Sequence, residues 1–286
     1  MAGKYERRRR QARERYRRQQ EQRAARQRRV RRRALAGVSA LAVAGLLAGL
    51  LAAFLPGGGG KAKASASASP TASASTVAEP AHHCTYSKAT PVARTVSLPP
   101  STPDYTASYT ATLDTNLGKI TLNLLNSKAT CTVNSFVHLA EAGYFDNTQC
   151  HRLVTSGPYV LQCGDPYATA ATKLTCSSSS KVGSGTPGYD FASENLGNAT
   201  YPAGTVAMAN NGTPDSNGSQ FFIVYKDSTS ALSASYTPFA TVSSGLGIVQ
   251  NVAKDGYACQ YAGAGGGAPK QKVIIDSVTV HTTPKT

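Results

Sequence analysis

Residues 208–225, MANNGTPDSNGSQFFIVY, constrain the fold more than any other stretch of this chain. The first half packs Asn210-Asn211-Gly212, Pro214-Asp215 and Asn217-Gly218 into ten positions or so, a density of turn formers that suits a tight irregular loop. The second half alternates. Gln220, Phe222 and Val224 fall on one face of a strand, and Phe221, Ile223 and Tyr225 on the other. Such a strand can line a core with one face and a cleft with the other. An ordinary hairpin would also satisfy the pattern, so it needs support from the rest of the chain.

The formal net charge of +15 is not spread evenly. Residues 1–33 hold 16 Lys/Arg against three Glu, whereas the other 253 hold 14 Lys/Arg against 12 Asp/Glu. The body therefore has no broad basic footprint for nucleic acid, and no nucleic-acid partner is expected. Residues 34–55 carry no charge across 22 positions of mostly Ala, Leu, Val and Gly. As a helix they would reach about 33 Å, enough to cross a hydrocarbon core. The reading is a basic cytoplasmic tail (1–33), a single transmembrane helix (34–55), a Gly/Ala/Ser/Pro linker (56–80), an arm (81–103) and one globular domain (104–286). The charge asymmetry places the tail in the cytoplasm and the domain outside the cell membrane, with the arginines also meeting anionic headgroups. A cleaved signal peptide is the competing reading, but the apolar run exceeds the usual h-region of about 7–15 residues.

Within the body, a hairpin is expected over 109–113 and 119–124, then a helix over 130–142 ending at Gly143. Strands follow at 149–154, 159–163, 204–209, 220–225, 238–242 and 272–281, with a short helix at 247–253. Residues 167–187 and 257–269 read as loops. All six Cys (84, 131, 150, 163, 176 and 259) follow the apolar segment, which points to disulfides in an oxidising compartment. Cys150 and Cys163 flank one hairpin, and Cys176 and Cys259 both fall in loops. No spacing suits a metal, and no metal or cofactor is expected.

His151-Arg152 sits inside an apolar strand, where a guanidinium needs partners. The alternatives are a salt bridge, an exposed face, or a donor aimed into a cleft. Gln162, ten residues on, is expected beside Arg152 on the same sheet face, with His151 on the other as a structural residue.

Cys150-His151-Arg152-Leu153, Gln162-Cys163-Gly164-Asp165, Met208-Ala209-Asn210 and Asn217-Gly218-Ser219-Gln220-Phe221-Phe222-Ile223, in that order, resemble the cyclophilins, a family of peptidyl-prolyl cis-trans isomerases. The likeness runs over about 110–280 and suits a bacterial, membrane-anchored branch. It implies a mainly β fold, a closed eight-stranded antiparallel β-barrel capped by two α-helices. It also implies a catalytic Arg152 and substrate contacts from Tyr159, Val160, Gln162, Ala209, Asn210, Gln220, Phe222, Leu232, Tyr236 and Phe239. Partners would be proline-containing polypeptides, and the domain a monomer. Ala231 stands where many eukaryotic members have Trp, and Tyr236 where they have His, so any cyclosporin binding is expected to be weak. An isomerase of X-Pro bonds in exported or cell-envelope proteins is the leading expectation. A proline-binding chaperone or scaffold with little turnover is the alternative. Asn198, Asn211 and Asn217 fit the glycosylation acceptor pattern, but two of them lie in the turn-rich loop after Met208, which suits a cell without that modification.

Overall fold

The computed structural model describes residues 83–177, 180–213, 215–261 and 265–283. The expected basic tail, transmembrane helix and linker lie outside the described residues. Among the described residues no helix is long and apolar enough to cross a membrane.

Among the described residues the fold is mainly β with two helices. Its strands are β1 Tyr86–Lys88, β2 Ser108–Thr115, β3 Gly118–Leu124, β4 Thr148–Gln149, β5 Arg152–Thr155, β6 Tyr159–Cys163 and β7 Tyr189–Phe191. These are followed by β8 Thr205–Met208, β9 Phe221–Val224, β10 Pro238–Ser244, β11 Tyr257–Gln260, β12 Gly267–Pro269 and β13 Ile274–Thr283. An 11-stranded sheet runs in the order β11-β12-β5-β6-β9-β8-β10-β3-β2-β13-β4. Its two end strands do not pair, so the expected closed eight-stranded barrel is not what the ladder forms. The break has a local cause. β4 is two residues long and pairs with β13. Between β4 and β5 the chain changes partner: the Cys150 N–H donates to Val273 O (2.9 Å), and the His151 N–H to Gln162 O (3.0 Å).

β11 and β12 correct the expected loop at 257–269. Their pairing needs glycine, because a Cβ on Gly267 would lie 1.6 Å from Cys259 O. The arm does pack on the domain. β1 pairs with β7, and Cys84 is bonded to Cys131. Tyr86 donates to Cys131 O at 2.9 Å and meets the Tyr189 ring edge-on at 5.4 Å.

Helix α1 (Thr130–Glu141) buries Val133, Phe136, Leu139 and Ala140, one face at helical spacing. Its N-terminus has no local side-chain cap. Instead Glu194, 62 residues on, accepts from the Thr132 N–H (2.7 Å) and the Cys131 N–H (3.1 Å). A carboxylate there satisfies otherwise unpartnered donors and complements the helix dipole. The helix ends in a Schellman turn: Tyr144 N–H to Leu139 O (2.9 Å) and Gly143 N–H to Ala140 O (3.0 Å), with Gly143 at φ 62°. Helix α2 spans Leu246–Asp255. The main core gathers Phe136, Phe145, Phe221 and Phe239 with the inward faces of the strands; Phe136 lies 5.3 Å from Phe145 and 5.2 Å from Phe239.

Candidate active site

Cross-strand register decides which residues meet. Arg152 on β5 pairs with Gln162 on β6, Gln162 with Phe222 on β9, and Phe222 with Ala207 on β8. One step along, Val154, Val160 and Val224 form a second row on the same face. Because side chains alternate, Leu153, Leu161 and Ile223 fill the opposite face and the main core. Val154, Val160, Tyr201, Ala207, Phe222 and Val224 form a separate apolar cluster, flanked by Ala209, Leu232 and Tyr236.

This face opens into a cleft of about 460 Å³ whose lining includes Arg152, Val160, Gln162, Ala209, Asn210, Phe222, Leu232 and Tyr236. Phe222 and Tyr236 meet edge-to-face at 5.5 Å and make an apolar wall. At the polar end the Arg152 guanidinium is held in place. Its Nε donates to Gly265 O and its Nη1 to Gln162 Oε1, both at 2.9 Å. Gln162 Nε2 donates in turn to Gln220 Oε1 at 2.9 Å. Burial pulls the guanidinium below its ordinary pKa, opposed by Tyr236 and Tyr261. Asn210 braces the rim: its Nδ2 donates to Ser235 O (2.8 Å), and its Oδ1 accepts from the Gly212 N–H (3.1 Å).

Three expected contacts, Tyr159, Phe239 and Gln220, do not line the cleft. Tyr159 pairs with Thr155, which puts it on the Leu153 and Leu161 side of the sheet. There it meets Tyr225 edge-on at 5.9 Å, with Lys226 Nζ 4.6 Å over its ring. Phe239 is fully buried in the main core, since an irregularity between Pro238 and Ala240 breaks the alternation of β10. Gln220 lines an adjoining depression of about 350 Å³, which shares Gln162, Ala209 and Asn210 with the first. Asn217 is wholly buried and donates to Phe191 O and Ser193 Oγ, so it is closed to glycosylation.

Sequence reasoning missed two supports. Tyr201 is fully buried behind the apolar wall; its hydroxyl donates to Tyr236 O (2.9 Å), with Ser233 O at 3.1 Å, and accepts from the Tyr236 N–H (3.2 Å), anchoring the segment that carries Leu232 and Tyr236. Nothing in its local pattern marks it. Gly265, whose carbonyl holds Arg152, belongs to a glycine run that did carry a signal. A Cβ on the next residue, Gly266, would lie 2.2 Å from Leu153 O, so only glycine lets the segment lie against β5.

His151 contributes to the cleft wall, and its buried ring has no hydrogen-bond partner at either nitrogen among the described residues. Burial, helped by Arg152, pushes its pKa down to about 3. The unfolded chain takes up this proton near pH 6.5 and the folded chain does not, so stability present above about pH 6.5 is lost as pH falls towards 3. The loss is on the order of 4 kcal/mol. Urea unfolding of the wild type and His151→Gln at pH 7 and pH 4 checks this. The wild type is expected to lose more stability, and parallel losses would refute the assignment.

The cyclophilin type peptidyl-prolyl cis-trans isomerase family model matches residues 110–280, and the chain belongs to that family. It is 39% identical over 213 residues to the probable peptidyl-prolyl cis-trans isomerase B of Mycobacterium leprae, covering 68% of this chain and 66% of the relative. It is 42% identical over 186 residues to the protein of the same name from Mycobacterium tuberculosis, covering 60% of this chain and 54% of the relative. The chain thus spans about half to two thirds of these relatives' lengths. A Cryptosporidium parvum cyclophilin type isomerase superposes with a TM-score of 0.50 at 23% identity, covering 62% of this chain and 99% of that one, a likeness of fold.

Proposed function

We propose that this protein accelerates cis-trans rotation about X-Pro bonds in exported or cell-envelope polypeptides and so assists their folding. One observation carries the reading: a half-buried arginine, held by Gly265 O and Gln162 Oε1, facing an apolar wall of Val160, Phe222, Leu232 and Tyr236 across a cleft of small-ligand size.

The chemistry follows from amide resonance. Rotation about a peptide bond meets a barrier of about 18–20 kcal/mol, and X-Pro exchange takes tens of seconds or longer uncatalysed. A catalyst needs only to favour the twisted state, in which the prolyl nitrogen regains its lone pair. The apolar wall holds the proline ring, and the backbone at Ala209 and Asn210 holds the flanking chain. Arg152 donates to the nitrogen as conjugation is lost, so the twisted state gains more than either planar one. Gln162 and Gly265 fix the guanidinium beforehand, which avoids reorganisation during rotation. A rate gain of about 10⁵-fold requires roughly 7 kcal/mol of such selective stabilisation.

The location is part of the proposal. The charge-free run at 34–55 beside the basic tail supports a membrane anchor, and three disulfides with no free cysteine among the described residues support a domain outside the cytoplasm. Refolding of a test protein limited by prolyl isomerisation examines the activity. The slow phase is expected to shorten in proportion to added enzyme. Binding to the unfolded chain without shortening would favour the chaperone reading. Fractionation examines the anchor, which release of the protein without detergent would contradict.

A further inference from the structure

Asp165 is the charged group that the chemistry above leaves unused. It is fully buried, 13 residues after Arg152 at the end of the strand that carries Gln162. Its carboxylate accepts from the backbone N–H groups of Tyr167 (2.8 Å) and Gly183. Residues 183–185 are thereby pinned against it. Gly185 has to be glycine, because a Cβ there would come 2.1 Å from Asp165 Oδ1. The carbonyls of Gly183 and Gly185 accept from Gln220 Nε2 at 3.2 and 3.0 Å. Gln220 Oε1 accepts from Gln162, and Gln162 Oε1 accepts from Arg152. The bonds are directional throughout. Because Gln220 spends its amide N–H bonds on the loop, its oxygen faces Gln162. That sets the Gln162 oxygen towards Arg152.

We propose that Asp165 is a positioning residue for Arg152, acting through residues 183–185, Gln220 and Gln162; the catalytic part of this inference rests on the isomerase reading. An ionised carboxylate suits the role because it only accepts, and the backbone N–H groups of Tyr167 and Gly183 converge on it. Asparagine in its place would turn one oxygen into a donor facing donors. The loop would shift, and both glutamine amides would lose their fixed orientation.

The test uses the full chain and two readouts: exchange kinetics on an X-Pro peptide and the NMR signal of the Arg152 Nε–H. Arg94, whose guanidinium is held by Tyr144 O at 2.6 Å, is the internal control. Asp165→Asn is expected to lower kcat by about 10- to 100-fold, the cost of a misplaced catalytic group, with KM nearly unchanged. It should also shift the Arg152 signal and leave that of Arg94. Adding Asp165→Asn to Gln220→Ala should cost little more than Gln220→Ala alone, since both break one chain. Additive losses, or an unchanged Arg152 signal, would overturn the relay. If Asp165→Asn does not fold, Gly185→Ala displaces the same loop and is judged by the same readouts. If the wild type fails to accelerate exchange, the isomerase reading falls, and the Arg152 signal alone decides whether Asp165 positions the guanidinium.

Discussion

Arg152→Ala is expected to lower kcat/KM for an X-Pro peptide by about 10²–10³-fold, the usual cost of deleting a donor aimed at charge that develops in the transition state. The apolar wall proposed to hold proline is untouched, so peptide affinity should change far less than turnover. The fold should survive as well. The deletion strips a donor from Gln162 Oε1 and Gly265 O, but Gln162 lines the open cleft and Gly265 is only half-buried, so water can replace the donor. Arg152→Lys keeps the charge and loses the fork. A single ammonium cannot reach Gln162 Oε1 and Gly265 O with the geometry of a planar guanidinium, so this variant should recover only part of the activity. A Lys variant as fast as the wild type would mean that charge alone suffices and that the two anchors are incidental. Peptide exchange and peptide titration on the three proteins separate these outcomes.

Loss of the Cys176–Cys259 bond is expected to lower the melting temperature by roughly 10–15 °C. The bond joins residues 83 apart, and closing a loop of that length in the unfolded chain is worth roughly 4–5 kcal/mol. Cys84–Cys131 and Cys150–Cys163, 47 and 13 apart, contribute roughly 4 and 3 kcal/mol on the same scale. Together these approach the whole stability of an ordinary domain, about 5–15 kcal/mol, so full reduction should unfold the protein at moderate temperature. Function should follow in the single case too. Cys176 lies in the cleft wall, and Cys259 sits on β11, paired to the β12 segment beside Gly265 and Gly266. A Cys176→Ser/Cys259→Ser protein should therefore show weakened turnover below its new melting temperature. Cys84→Ser/Cys131→Ser, which frees only the arm, should not. Thermal unfolding and turnover on both double variants check the pair.

Much of the fold and the site is legible in the sequence, and for a definite reason. The alternation of residues 220–225 is enough to separate Phe221 from Phe222, because a strand has only two faces. The same period applied to β5 and β6 puts Arg152 beside Gln162. It also excludes Tyr159 from the cleft, since Tyr159 and Val160 cannot both face it. The likeness to other family members supplied that position, and the pleat overrode it. Phe239 failed differently: an irregularity in β10 shifts the alternation, and no residue there announces it. Closure of the sheet depended on two residues, Cys150 and His151, that pair with different strands. Such a switch is a tertiary event with no local signature. The pairing of the six cysteines was open in the sequence; the folded chain joins Cys150 to Cys163, Cys176 to Cys259 and Cys84 to Cys131. Tyr201 and Asp165 act from behind the site through hydrogen bonds to backbone. Their importance lies in what they hold, which only the folded chain reveals.

The cleft is expected to lower the barrier to X-Pro rotation rather than merely hold proline. Exchange spectroscopy on a short X-Pro peptide, with the cis and trans signals followed as catalytic amounts of the protein are added, tests it most directly. Cis-trans exchange is expected to be far faster than the uncatalysed tens of seconds, in proportion to protein, with the equilibrium cis fraction unchanged. Saturable peptide binding with exchange left at the uncatalysed rate would contradict it.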